Sequence, residues 1–183
     1  ADEFVVRGDG APGGSWVVSA CWSAPAFEIP KGEDLTTAEQ EIAGAATYRV
    51  SLRCTLARDW SAESAQLVSL AHELFPEMAL VADEDGYAFW SPRWAAAVAA
   101  GRPVRMTELF KVHLVGHEGE IWAHTHGLRR LGIIELEAFD NEGDWRFAHE
   151  LVNATAAVMA TNGVSPPGVG LRVREQTVVE WSP

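Results

Sequence analysis

No stretch of this sequence approaches the ~20 consecutive apolar residues that a membrane-spanning helix needs. No basic-then-apolar segment at the start marks a secretory signal. Localisation therefore reads as cytoplasmic by default. Cysteine is scarce. There are two, Cys21 and Cys54, and neither sits in a Cys-x-x-Cys pair, which disfavours a metal site built on thiolates. Set in the apolar runs SWVVSACW and YRVSLRCTLA, both read as buried free thiols. A disulfide between neighbouring strands is the alternative, and it would imply an oxidising compartment. Positive charge is also short. Fourteen Lys and Arg stand against 26 Asp and Glu, for a formal net charge of −12. Such a surface repels phosphate backbones and anionic bilayers, so neither nucleic acid nor membrane is expected as a partner. The one basic cluster, Arg129–Arg130, is too small to reverse that. The Gly-x-Ser-x-Gly elbow, the P-loop and the His-Glu-x-x-His pair are all missing as well. That points away from an enzyme built on a familiar signature.

What is present is enough apolar residue for a sizeable core: 48% of 183 residues. A chain of this length reads as one domain, 1–183, with a sub-boundary near 101–106 where a helix ends and a hairpin begins. It starts ADEFVVRGDG rather than with Met, so a fragment of a longer protein is an open alternative. Eight tryptophans are many for this length. They read either as core and core edge or as a surface that receives a partner.

Along the chain, GDGAPGG at 8–14 reads as a turn and SWVVSACW at 15–22 as a strand. Residues 23–34 read as loop. TTAEQEIAGAA begins a short helix, capped by Thr36 or Thr37. ATYRVSLRCTLA alternates as a half-buried strand, with Tyr48, Val50, Leu52, Cys54 and Leu56 on one face. SAESAQLVSLAHELF is a helix with Ser61 as its cap and Pro76 as its stop. ALVADEDGYAFW is a hairpin in which Gly86 takes the positive φ of the turn. SPRWAAAVAAG is a helix capped by Ser91. TELFKVHLVGHEGEIWAHT is a second hairpin, turning near HEGE, and IIELEAF is a further strand. The longest helix follows at 143–163, with Ala148, Leu151, Val152, Thr155, Val158 and Met159 as its apolar stripe. VSPPGVG is loop, and LRVREQTVVEW closes the chain with one or two strands. Tight turns between consecutive strands, without strict strand–helix alternation, predict an α+β fold: a largely antiparallel (mixed) sheet packed on about four helices.

The chemistry-bearing residues gather at 113–137. Alternation puts Trp122, His124 and His126 on one strand face, with Ile121, Ala123 and Thr125 opposite. On the next strand Glu135 and Glu137 share a face. If the faces align, two imidazoles meet two carboxylates. His124, His126, Glu135 and Glu137 could then hold zinc, iron or manganese, or serve as acid and base. His113 and His117, on the preceding strand and turn, could add a nitrogen. The plainer reading gives the histidines hydrogen-bonding roles and makes the glutamates a solvated sheet face. The run GLRRLG at 127–132 reads as a corner with Leu128 and Leu131 inward and Arg129 and Arg130 outward. There the arginines either pair with Glu135 or Glu137 or bind an acidic ligand. His72 and His149 read as packing or surface residues, and Asp83, Glu84 and Asp85 as a hairpin tip rather than a calcium loop.

The segment WAHTHGL at 122–128, followed by LGIIELE at 131–137, resembles a box in uncharacterised bacterial domain-of-unknown-function families. AFWSPRWAAAVAAG and the helix at 144–161 fit the same outline, so the resemblance covers residues 60–175. It implies a bacterial, soluble α+β protein. It supplies no activity, and no catalytic residue is carried over from it.

Three functions follow. The first is a module that binds a protein partner through Trp122, His124, His126, Arg129, Arg130, Glu135 and Glu137, of which an immunity-type protein facing a basic toxin is one form. It needs no cofactor. The second is a metal-dependent hydrolase on the His124/His126/Glu135/Glu137 cluster, using zinc or another divalent ion. The third is a structural or regulatory domain of a larger protein.

Overall fold

The computed structural model describes residues 4–11, 14–21, 35–46, 49–54, 56, 59–117, 120–140, 144–163, 171–174 and 177–179. The loops read at 23–34 and 164–170 and the centre of the HEGE turn lie outside the described residues. The chain falls into two compact units: residues 1–84 with 88–104, and residues 85–87 with 105–183.

In the first unit, β1 (Phe4–Ala11), β2 (Gly14–Cys21) and β3 (Arg49–Cys54) form an antiparallel sheet in that order. Strand β1 runs through Gly8–Ala11, which the glycines had marked as turn. Its pairing to β2 holds from Phe4 to Asp9 and then slips. The ladder settles the cysteines. Cys54 lies opposite Trp16, and Cys21 opposite Arg49. Five strand residues at ~3.3 Å each separate them, far beyond the ~7 Å limit between Cα atoms for a bridge. The Cys54 thiol is free, and burial, then the nearby Glu63 carboxylate, pushes its pKa up. On β3, Arg49 and Arg53 point outward and pair with Glu84 at 3.2 and 3.7 Å.

Helix α1 (Thr37–Gly44) is closed by a capping box: the Thr36 hydroxyl accepts the Glu39 N–H, and the Glu39 carboxylate accepts the Thr36 N–H. Helix α2 (Trp60–Leu74) begins two residues earlier than a Ser61 cap predicts. Asp59 is its cap, accepting the Ala62 N–H at 3.0 Å. A carboxylate is at least as good a cap as a hydroxyl, and Ser61 instead donates to the Val104 carbonyl at 2.7 Å. The hairpin β4 (Val81–Asp83) and β5 (Ala88–Trp90) leads into α3 (Pro92–Ala99), where Ser91 caps and Pro92 occupies the first turn as expected. The positive φ of the hairpin falls on Tyr87, at 50°, and not on Gly86. Helix α2 packs on α3 and on β3.

The second unit carries the chemistry-bearing segment 113–137. After a 3-10 turn at Met106–Glu108, β6 (Lys111–His117), β7 (Glu120–His126) and β8 (Glu137–Asp140) form a three-stranded antiparallel sheet. A second 3-10 turn, Leu128–Leu131, makes the corner after β7. Helix α4 (Trp145–Asn162) starts at Asp144, whose carboxylate accepts the N–H groups of Arg146 and Phe147. It lies across the sheet and also packs on β9 (Leu171–Arg174), which pairs with β10 (Thr177–Val179).

Four helices and exclusively antiparallel pairings among the described residues make this an α+β fold. The strands do not merge into one sheet there. Every ladder joins strands consecutive in the chain, giving four small sheets.

The α4 seam is built from small residues. Ala148, Val152 and Ala156 recur every fourth position and are buried with Thr155 and Met159, so helix and sheet approach closely. Leu151 and Val158, placed in that stripe from sequence, are only half-buried. One cluster joins Ala148 and Val152 to Ala123, with Leu114, Ile121 and Ala138 around them. The other joins Phe110, Leu128, Ile133, Ala156 and Met159. Leu128 therefore does plug the core from the corner.

Gly127 opens that corner at φ 106°, and a Cβ there would collide with the Leu109 carbonyl oxygen. Gly132 closes it at φ 74° with nothing within 4 Å. Gly127→Ala should destabilise the protein by more than about 2 kcal/mol, since backbone atoms would have to move. Gly132→Ala should cost only the left-handed backbone penalty of about 1–2 kcal/mol. Urea unfolding of the two variants checks the order.

Candidate functional site

The ladder of β6, β7 and β8 sorts every side chain in the motif. His113 stands directly across from His124, and His124 from Glu137. Trp122 lies across from Val115 on one side and Phe139 on the other. Alternation puts His113 and Val115, Trp122, His124 and His126, and Glu137 and Phe139 on one face. The opposite face holds Val112, Leu114, Ile121, Ala123 and Ala138 and is covered by α4. The outer face stays open: Trp122 is 36% exposed, Val115 47% and Phe139 71%.

Aromatic rings tile this outer face. The Trp122 indole stacks on His124 at 4.1 Å between centroids and runs parallel to Phe139 at 6.2 Å. The three imidazoles form a triangle. His113 to His126 is 4.8 Å, His124 to His126 is 4.9 Å, and His113 to His124 is 5.8 Å. Tyr87 closes the cluster, tilted on His126 at 4.4 Å and edge-on to His113 at 5.8 Å. A tyrosine at positive φ is costly, and these ring contacts accompany that conformation.

Glu137 belongs to the cluster, accepting the Trp122 indole N–H at 3.1 Å. Glu135 does not. Its Oε2 accepts the buried Thr125 hydroxyl at 2.7 Å, and its Oε1 accepts the N–H groups of Gly127 and Arg129 at 3.0 and 3.2 Å. Thr125 Oγ1 in turn accepts the Leu136 N–H at 2.8 Å. The physical reason is that residues 133–136 are not strand, so alternation does not carry back from Glu137 to Glu135. Four orphan polar groups at the corner are satisfied by one carboxylate and one hydroxyl instead. The four-residue set His124, His126, Glu135 and Glu137 is thus divided between face and corner. As the side chains stand, no three His, Cys, Asp or Glu among the described residues converge to hold a metal ion. Arg129 is exposed and enters the corner through its backbone N–H, while Arg130 Nε donates to the Gly127 carbonyl at 3.2 Å. His72 and His149 are half-buried on their helices.

Residues 112–178 match the family model described as "Protein of unknown function (DUF4026) C-terminal". The match runs from β6 through β10 and so contains the histidine face, the Glu135 corner and α4. It agrees with the resemblance to domain-of-unknown-function families carried by the 122–137 box. No curated protein and no solved structure matches the chain.

The electrostatics of the face favour the neutral forms of His113 and His124. Burial, then His126, His124 and Lys111, pulls the His113 pKa below its ordinary value. Burial and His126 do the same for His124, against the opposing pull of Glu137. The Nδ1 atom of His124 is shielded from water and has no hydrogen-bond partner. Tyr87 is the member that sequence reading misses. It sits in a turn with no periodicity, and nothing but tertiary packing brings it to His126.

Two outcomes follow. A histidine with a depressed folded pKa binds fewer protons folded than unfolded, so stability is held above the ordinary value of 6.5 and lost as pH falls below it. Denaturation midpoints measured from about pH 8 down to about pH 5 should fall, and His113→Gln should flatten the slope. Thr125→Val keeps the shape but strands the Leu136 N–H and a Glu135 oxygen. It should cost about 1–3 kcal/mol in the same assay.

Proposed function

We propose that the C-terminal unit is a protein-binding module that receives a basic partner on the outer face of β6, β7 and β8. The observation that carries this reading is an antiparallel sheet with one face in the core and the other exposing Val115, Trp122 and Phe139 around Glu137. An open aromatic patch of this kind marks an interaction site, and Trp and Tyr are the residues on which interfaces concentrate their energy. The π faces attract Lys and Arg side chains, and Glu137 adds a carboxylate beside them. A net charge of −12 draws a basic partner in and repels nucleic acid. An immunity-type protein that masks a basic toxin is one form of such a module. None of the described helices is long and apolar enough to cross a membrane.

Titration of the full chain with an Arg- and Lys-rich peptide, followed by calorimetry, tests this. Binding should be saturable, weaken with salt, and be absent for an acidic peptide of equal length. Trp122→Ala and Glu137→Gln should each weaken it by about tenfold or more, or roughly 1.4 kcal/mol, in protein whose melting curve shows it folded at the assay temperature. Affinity unchanged in Trp122→Ala would remove the face from the reading.

A further inference from the structure

The three histidines support a second inference on the same face, and it stands whether or not a basic protein binds there. We infer that His113, His124 and His126 are a three-imidazole site for a divalent transition ion of the zinc class, with Glu137 as the adjoining carboxylate.

The sequence places His-x-His on β7, and the ladder adds the third ring from β6, directly opposite His124. With Zn–N bonds of about 2.0–2.1 Å and tetrahedral angles, three rings on one ion have centroids about 5 Å apart. The observed separations are 4.8, 4.9 and 5.8 Å. The backbone has therefore set the spacing. In this arrangement the three rings stand at 29°, 86° and 77° to one another and do not present their nitrogens to one point. Turning half-exposed rings needs side-chain rotation only, and such rotamer changes are fast. His124 Nδ1 is a shielded nitrogen without a partner, the kind of buried polar atom that calls for a missing ligand. Glu137, across from His124, supplies negative charge next to a dication. Three imidazole ligands with a fourth position left to solvent are the donor set of an open zinc site. Glu135 is excluded, because both its oxygens are taken by the corner.

The test is titration of the full chain with Zn²⁺ by calorimetry and with Co²⁺ by visible absorption, without any peptide. One ion per chain should bind, with a dissociation constant on the order of micromolar or below. His113→Gln and His124→Gln should each weaken it by at least about tenfold, while His149→Gln, on α4 and outside the cluster, leaves it within about twofold. Absence of saturable binding by the wild-type chain overturns the inference. So does wild-type affinity in His113→Gln, or an equal loss in His149→Gln. Peptide binding that survives such a result leaves the basic-partner reading standing, and metal binding without peptide binding does the reverse.

Discussion

The Glu135 carboxylate holds the C-terminal unit in its shape. It takes the Thr125 hydroxyl and two backbone N–H groups, at Gly127 and Arg129. Those groups would otherwise be left unpaired where β7 breaks off into the 3-10 turn, and a buried unpaired N–H is expensive. One side chain thereby fixes how the chain leaves β7, where Leu128 enters the core, and where the chain resumes as β8. The register that sets Glu137 opposite His124 depends on that geometry. Glycine at 127 is part of the same constraint, since the Leu109 carbonyl leaves no room for a Cβ.

From the corner outward, the sheet has two unlike faces. The α4 side is filled by small residues, with Ala123 and Ala156 fully buried. The outer side carries nearly all the chemistry: three imidazoles, Trp122, Phe139, Glu137 and the Tyr87 ring. A period of two makes this separation automatic. Crowding on the outer side also has an electrostatic effect, since burial and the neighbouring His126 disfavour the charged forms of His113 and His124. The same crowding that makes protonation costly makes the ring nitrogens available as acceptors or ligands.

Much of this was legible in the residues. Ser91 and Thr36 cap helices because a side-chain oxygen next to free N–H groups is a local interaction. The inward set Ile121, Ala123 and Thr125 against the outward set Trp122, His124 and His126 follows from alternation alone. The long helix announced itself by its stripe, though small alanines rather than Leu151 and Val158 make its seam. The errors lie where local rules compete. Ser61 was a plausible cap, but Asp59 takes that place. Gly86 invited the positive φ that Tyr87 adopts.

The sequence by itself determined the fold class, the hairpin and the long helix of the second unit, and the spacing of His124 and His126, because each rests on periodicity or on contacts a few residues long. Tertiary structure alone decided which histidine stands across from which, that Tyr87 joins them, that Cys21 and Cys54 are too far apart to bridge, and that Glu135 serves the corner while Glu137 serves the face. Those outcomes depend on register and on where a strand stops, and both are set by packing between residues distant in the chain.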